Sequence, residues 1–232
     1  MNIKISKYYD KKQAEDYEKR RNNQTWHNEN KVFNIIRDKI LIDNKDLIEV
    51  LDVGAGTGRW IPYLNNLSIK YVATDISENM LYQAELKLKE CPNEFKKNTK
   101  FIVSSVEELP INLSGKFDLI IMTRFLSHFS VNEIINILKI IRKYSKKDLI
   151  VSLRVAEKKL DIFFEIFNLI TKSPLGAIKR YRKSGRLTYA RLDSIYDKVI
   201  KDAGFNIIKK NVVSKDKYNR YEYWELRLNS SS

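Results

Sequence analysis

Apolar positions along the chain fall into two alternating rhythms. Short, nearly unbroken apolar runs at Ile48–Val53, 71–74, 100–103, Phe117–Met122 and 148–155 read as strands, and the fourth is apolar enough to be buried on both faces. Between them, apolar residues recur at helical spacing. One such helix is predicted over 58–65, where Pro62 is tolerated in the first turns. Another begins at Glu78 behind a capping Ser77 and continues through Met80, Leu81, Ala84, Leu86 and Leu88. A third covers 131–144, with Ile134, Ile135, Leu138 and Ile141 inward. Strands alternating with helices imply a parallel sheet with right-handed crossovers, an α/β fold.

The flanks follow other patterns. Residues 1–45 read as helices, with strong helix formers over 11–21 and Val32, Ile35, Ile36 and Ile40 at helical spacing. After the fifth strand, LDIFFEIFNLI (160–170) is intensely apolar at helical spacing, and a basic segment follows it directly. A helix over 192–203 ends at Gly204, a suitable C-cap. Two last strands, 205–213 and 221–228, form a hairpin across the polar turn SKDKYNR. The expected division is an N-terminal helical cap (1–45), a core (46–156), an apolar and basic insertion (157–190), and a helix with a hairpin (191–232) that completes the core sheet.

The first strand ends in chemistry. In IEVLDVGAGTGRW (48–60), Asp52 is followed by Gly54, Gly56 and Gly58, three of only seven glycines in 232 residues. Glycine there permits a strand-to-helix turn with a ligand pressed against bare backbone, and a following helix would offer its unpaired N–H groups. The dinucleotide pattern G-x-G-x-x-G fails at Arg59, and no Walker Gly-Lys-Ser/Thr is present. Asp75 ends the second strand, 23 residues after Asp52, where a carboxylate accepts ribose hydroxyls.

This combination resembles motif I and the following acid of the class I S-adenosylmethionine (AdoMet) methyltransferases. The likeness covers roughly 46–156 and 191–228. It implies a doubly wound, seven-stranded, mostly parallel sheet with an antiparallel last strand. It further implies that Gly54, Ala55, Gly56 and Gly58 line the methionine and ribose part of AdoMet, and that Asp52 orients the loop or reaches the amino group through water. Asp75 then takes the ribose hydroxyls, with Ile76 and Met80 near the adenine. Arg59 matches an arginine that binds the cofactor carboxylate in relatives with a similar GAGxGR string. Ser105 stands where many relatives carry an adenine-binding Asp, a departure that leaves Ser105 and Val106 as the expected contacts. Thr123 sits where relatives touch the methionine moiety, Arg124 follows it toward the acceptor, and His128 aligns with a histidine suited to removing a proton. In the N-terminal segment, Tyr8, Tyr9, Tyr17, Arg20 and Trp26 are expected to close over the cofactor and exclude water.

Composition narrows the partners. Forty-three basic against 29 acidic residues give a net charge of +14, and 172–191 holds seven basic residues (Lys172, Lys179, Arg180, Arg182, Lys183, Arg186, Arg191) and no acid. That run is either a solvated loop or a surface for phosphate, nucleic acid or a lipid headgroup. Two histidines and one cysteine suggest no metal site and exclude an internal disulfide. No apolar run reaches membrane-spanning length and no secretory signal opens the chain, so a cytoplasmic location is expected. The leading expectation is methyl transfer to oxygen or nitrogen of a small anionic acceptor, contacted by Arg154, Arg186, Tyr189 and Arg191. An RNA or protein methyltransferase, a lipid-linked acceptor at a membrane surface, and a non-catalytic AdoMet-binding subunit stay open beside it. The N/DPPY-type signature of base amino-methylating relatives is missing.

Overall fold

Strand β1 (Ile48–Val53) lies inside the sheet, and every residue of it except Glu49 is buried. The computed structural model describes residues 10–19, 24–42, 47–65, 67–113, 115–157, 190–216 and 219–229. On one side of β1 lie β2 (Ile69–Asp75) and then β3 (Thr99–Val103), both parallel to it. On the other lie β4 (Phe117–Met122) and β5 (Ser145–Ala156), also parallel. A two-residue β6 (Arg191–Leu192) joins the end of β5, while β7 (Phe205–Lys215) and β8 (Asn219–Leu228) form a hairpin whose second strand runs antiparallel against β5. The order is β3-β2-β1-β4-β5-β8-β7, with β6 off this path. The described residues therefore form eight strands, the expected seven plus β6. The winding reverses between β1 and β4, and open α/β sheets bind ligands outside the carboxyl ends of strands at such a reversal.

The helices cover both faces. On one side α1 (Lys11–Lys19), α2 (Gln24–Ile42), α3 (Ile61–Leu64), α4 (Glu78–Leu88) and the short α5 (Asn93–Lys97) surround a core of Phe33, Ile36, Trp60, Ile61, Tyr71, Phe95 and Tyr223. On the other, α6 (Leu109–Asn112), α7 (Val131–Arg142) and α8 (Asp193–Asp202) bury Leu109, Ile134, Ile137, Leu138, Ile141, Tyr196 and Trp224. Local signals set the helix starts. The Ser77 side chain accepts from the Met80 N–H at the head of α4, and Ser130 with Glu133 forms a reciprocal capping box on α7. None of the helices among the described residues is long and apolar enough to cross a membrane.

Two expectations change. The helix expected over 58–65 is a single turn that starts only at Ile61, because Gly58 takes φ +67° and holds the chain out of helical geometry until Trp60. Its dipole is correspondingly small, so the anion-binding helix terminus expected behind the glycines is not built. Also, α2 is more than a cap. Phe33 stacks on Trp60 with ring centroids 3.8 Å apart, the Asn28 amide donates to the Val213 carbonyl at 3.3 Å, and Lys39 pairs with Glu225 at 2.9 Å. These contacts fix α2 along the face of β7 and β8. The apolar segment 160–170, most of the basic run, and Tyr8, Tyr9, Arg20, Arg186 and Tyr189 lie outside the described residues.

Candidate active site

The glycine turn after β1 is tied to the end of β2. Gly54 and Ala55 both donate to the Thr74 carbonyl, at 2.8 and 3.0 Å. Gly54 sits at φ +69°, and a Cβ placed on it would come within 2.5 Å of the Phe125 ring, so the turn needs both the left-handed backbone and the missing side chain. Phe125 follows β4, and this contact brings the ends of β1 and β4 together at the winding reversal.

Asp75 is held by backbone. Its Oδ2 accepts from Gly56 N–H and its Oδ1 from Ser77 N–H, each at 2.9 Å. The residue is half-buried rather than sealed, within reach of a ligand at the turn. Ile76 is half-buried beside it, and Met80 packs near Gly56, 3.2 Å from where a Cβ there would stand. At the end of β3, Ser105 forms a reciprocal pair with Glu108, its N–H donating to Oε2 at 3.2 Å and its Oγ accepting from Glu108 N–H at 3.3 Å, while Val106 enters the core. Ser104 N–H donates to the Asp75 carbonyl at 3.0 Å, which sets this turn alongside Asp75.

Asp52 faces inward. It is 1% exposed and accepts from the Tyr71 hydroxyl at 2.6 Å. Burial pushes its carboxyl up to about 7 from 3.8, against the pull of the Tyr71 hydrogen bond and with a further push from Asp75. Between these two values the folded protein holds a proton that the unfolded chain has lost. The resulting stabilisation is complete below about pH 4 and is lost as pH rises through about 7. Asp52→Asn should therefore match the parent in urea denaturation near pH 4 and exceed it by about pH 8, with an upper bound of about 4 kcal/mol at roughly 1.4 kcal/mol per pKa unit. A stability difference independent of pH would refute the assignment.

Beyond β4 the structure gathers charge. Thr123 Oγ1 accepts from the Trp60 indole N–H at 2.9 Å. Arg124 adopts φ +56°, rare for a residue with a side chain, and its backbone N–H donates to Ser152 Oγ at 2.6 Å. Its guanidinium grips Glu29 of α2, Nε donating to Oε2 at 3.2 Å and Nη2 to Oε1. Arg59 donates to the same Glu29 through Nη1 and to Asn30 Oδ1 at 2.8 Å, with its Cζ 3.7 Å from the Trp26 ring centroid and 4.5 Å from that of Trp60. The Tyr223 hydroxyl donates to Glu29 Oε2 at 3.0 Å, and Glu29 is wholly buried. Burial alone would lower the Arg124 pKa, but the hydrogen bond to Glu29 and its charge act the other way, so Arg124 stays charged. His128 is half-buried at the end of a 3-10 turn (Leu126–His128), its N–H bonded to the Phe125 carbonyl at 3.1 Å.

The expected residues thus separate into groups. Gly54, Ala55, Gly56, Gly58, Asp75, Ile76, Met80, Ser105 and Val106 surround the turn and the end of β2. Arg59, Trp26, Thr123 and Arg124 converge at β4. Tyr17 lies on α1, which packs against α4. Arg154 is half-buried opposite Tyr221 and lines an open cleft of about 220 Å³ with Thr25 and Arg220. Arg191 departs from expectation. Pairing of β6 with β5 turns it inward, 6% exposed, where it donates to the Phe129 carbonyl and stands 3.5 Å from the Tyr196 hydroxyl. A guanidinium spent on buried acceptors is not offered to a methyl acceptor. Arg59, too, already has a carboxylate, supplied by Glu29. The sequence reading missed Glu29, Ser152, Tyr221 and Tyr223. One signal existed for Glu29: it lies four and seven residues before the buried Phe33 and Ile36, on the apolar face of its helix.

Residues 50–148 match a family model described as a methyltransferase domain. No curated protein sequence matches the chain. Among solved structures, the magnesium protoporphyrin IX methyltransferase of Synechocystis PCC 6803 with bound SAM is similar at 19% identity and a TM-score of 0.64, over 89% of this chain and 82% of that one. An S-adenosylmethionine-dependent methyltransferase from Clostridium acetobutylicum ATCC 824 is 16% identical with a TM-score of 0.59, over 84% and 89% of the two chains. A cyclopropane synthase from Mycobacterium tuberculosis is 11% identical with a TM-score of 0.62, over 83% of each. At these identities the likeness is one of fold.

Proposed function

The chain carries a class I S-adenosylmethionine-dependent methyltransferase domain, and from that premise we propose that it methylates oxygen or nitrogen of a small anionic acceptor, with the cofactor held between the glycine turn and Asp75. The observation that supports the cofactor placement is the Asp75 carboxylate, fixed by two backbone N–H groups and half-buried at the end of β2 beside the glycine turn. A ribose diol donates to such a carboxylate through both hydroxyls. Gly54 and Gly56 offer bare backbone to the sugar and methionine, while Ile76 and Met80 supply apolar walls on the adenine side.

Bound AdoMet supplies a methyl group already activated by its sulfonium, so the chain needs no nucleophile of its own. Its residues are left to bind, align and exclude water. Trp26 and Trp60 close one side of the site around Arg59. His128, half-buried beyond β4, is the group we assign to take a proton from the acceptor. Arg154, beside the cleft at the end of β5, is the described residue that remains of the expected acceptor contacts.

Asp75→Ala tests the cofactor site. Two charge-assisted hydrogen bonds at about 1.5–3 kcal/mol each correspond to roughly a hundredfold or greater loss of AdoMet affinity. Calorimetry should show that loss while circular dichroism shows a retained fold. Unchanged affinity would refute the placement.

A further inference from the structure

Two guanidiniums meet one carboxylate at the end of β4. Arg59 and Arg124 both bond Glu29, and neither bonds another carboxylate among the described residues. The phenols that complete the cluster do not balance the charge. Tyr223 is buried and its pKa is raised by that burial and then by Glu29, and Tyr221 is likewise pushed above the ordinary range by burial first. One positive charge is therefore left over in a largely desolvated place, where an anion is worth more than in water.

Exposure decides which arginine presents that charge. The Arg59 side chain is 9% exposed and sandwiched between the Trp26 and Trp60 rings, and Glu29 is sealed at 0%. The Arg124 side chain is 31% exposed. Its Nε and Nη2 are turned inward to Glu29, and no described residue takes a hydrogen bond from Nη1. Its left-handed backbone is anchored by Ser152 Oγ, which also lies 2.7 Å from the Tyr221 hydroxyl, and the Tyr221 ring lies 5.2 Å from the guanidinium carbon. A strained backbone, a locked side chain and one outward edge describe a recognition group rather than a surface arginine.

We infer that Arg124, held by Glu29, is a specificity-determining residue whose outer edge binds a carboxylate of the methyl acceptor. This rests on the proposed anionic acceptor and gives it a chemical class and a docking point. Glu29 acts as an internal counter-ion that cancels one of the two charges, so the site takes one anionic group.

The test uses benzoate as probe and benzamide as its neutral counterpart, titrated by calorimetry into full-length protein saturated with S-adenosylhomocysteine, so that the cofactor's own carboxylate is already in place. Benzoate should bind and benzamide should not. Arg124→Gln should weaken benzoate at least about tenfold, and Arg124→Lys, which keeps the charge without the fork, should fall between. Glu29→Gln should tighten benzoate severalfold, because it exposes the second charge; a purely structural role for Glu29 would not produce that gain. Benzoate binding that is indifferent to Arg124, binding only when S-adenosylhomocysteine is absent, or no binding at all would overturn the inference. Inorganic phosphate binding in place of benzoate would overturn the carboxylate assignment. If S-adenosylhomocysteine itself failed to bind, the underlying cofactor reading would fall, and that result is distinct from the others.

Discussion

Replacing Glu29 by alanine should cost about 3–5 kcal/mol of folding free energy, the usual penalty for stranding a buried charge by removing its partner. Glu29 receives hydrogen bonds from Arg59, Arg124 and Tyr223, and the alanine variant leaves both guanidiniums facing each other across a cavity. Desolvation and like-charge repulsion then act together. For a chain of this length each kcal/mol lowers the melting temperature by about 2–4 °C, so a fall of roughly 6–20 °C is expected. Glu29→Gln keeps the shape and some acceptor capacity and should cost clearly less. Urea denaturation of both variants measures the difference. A loss below about 1 kcal/mol for the alanine variant would mean that water relieves the arginines, and the buried cluster would lose its energetic meaning.

The same cluster marks the boundary of what the sequence could reveal. Strands declare themselves because a sheet covered on both faces demands runs such as Phe117–Met122, and Asp75 was legible because the strand rhythm located its end. Caps at Ser77 and Ser130 obey local rules and need no tertiary information. The one-turn α3 defeated that logic, since Trp60, Ile61 and Leu64 carry helical spacing while Gly58 at φ +67° delays the helix. β6 is two residues long and exists only through its pairing with β5, so no pattern announces it.

Arg59 shows the deeper limit. The resemblance to relatives with a similar GAGxGR string assigned it to the cofactor carboxylate. In the structure its carboxylate partner is Glu29, 30 residues earlier, on a segment outside the likeness to the methyltransferase family. The contact depends on α2 lying along β7 and β8, which places Glu29 over the ends of β1 and β4. Arg191 fails in the opposite way: its position in a basic run suggested a surface role, but the β5–β6 pairing drew it inside. Charge composition reports neither direction.

Gly58→Ala should be the most damaging single methyl in the glycine turn proposed to hold the cofactor. The added Cβ would stand 2.6 Å from Ile61 Cδ1, 2.7 Å from Ala84 Cβ and 3.1 Å from the Ala84 backbone, at φ +67°. The left-handed backbone costs roughly 1–2 kcal/mol for a residue with a side chain, and overpacking adds about 1–3 kcal/mol. Ile61 can rotate away, but the Ala84 backbone belongs to α4 and cannot move without shifting the helix that Ser77 caps beside Asp75. AdoMet affinity should therefore fall together with stability. A second substitution separates the two costs. Ala84→Gly removes the nearest Cβ, itself costs about 1 kcal/mol in a helix, and should recover about 1 kcal/mol or more of the Gly58→Ala loss as a favourable coupling in a double-mutant cycle. The backbone share would remain. Additive losses would show that the chain evades the contact by moving the turn, and the close approach of Gly58 to α4 would then not be what shapes the proposed cofactor site.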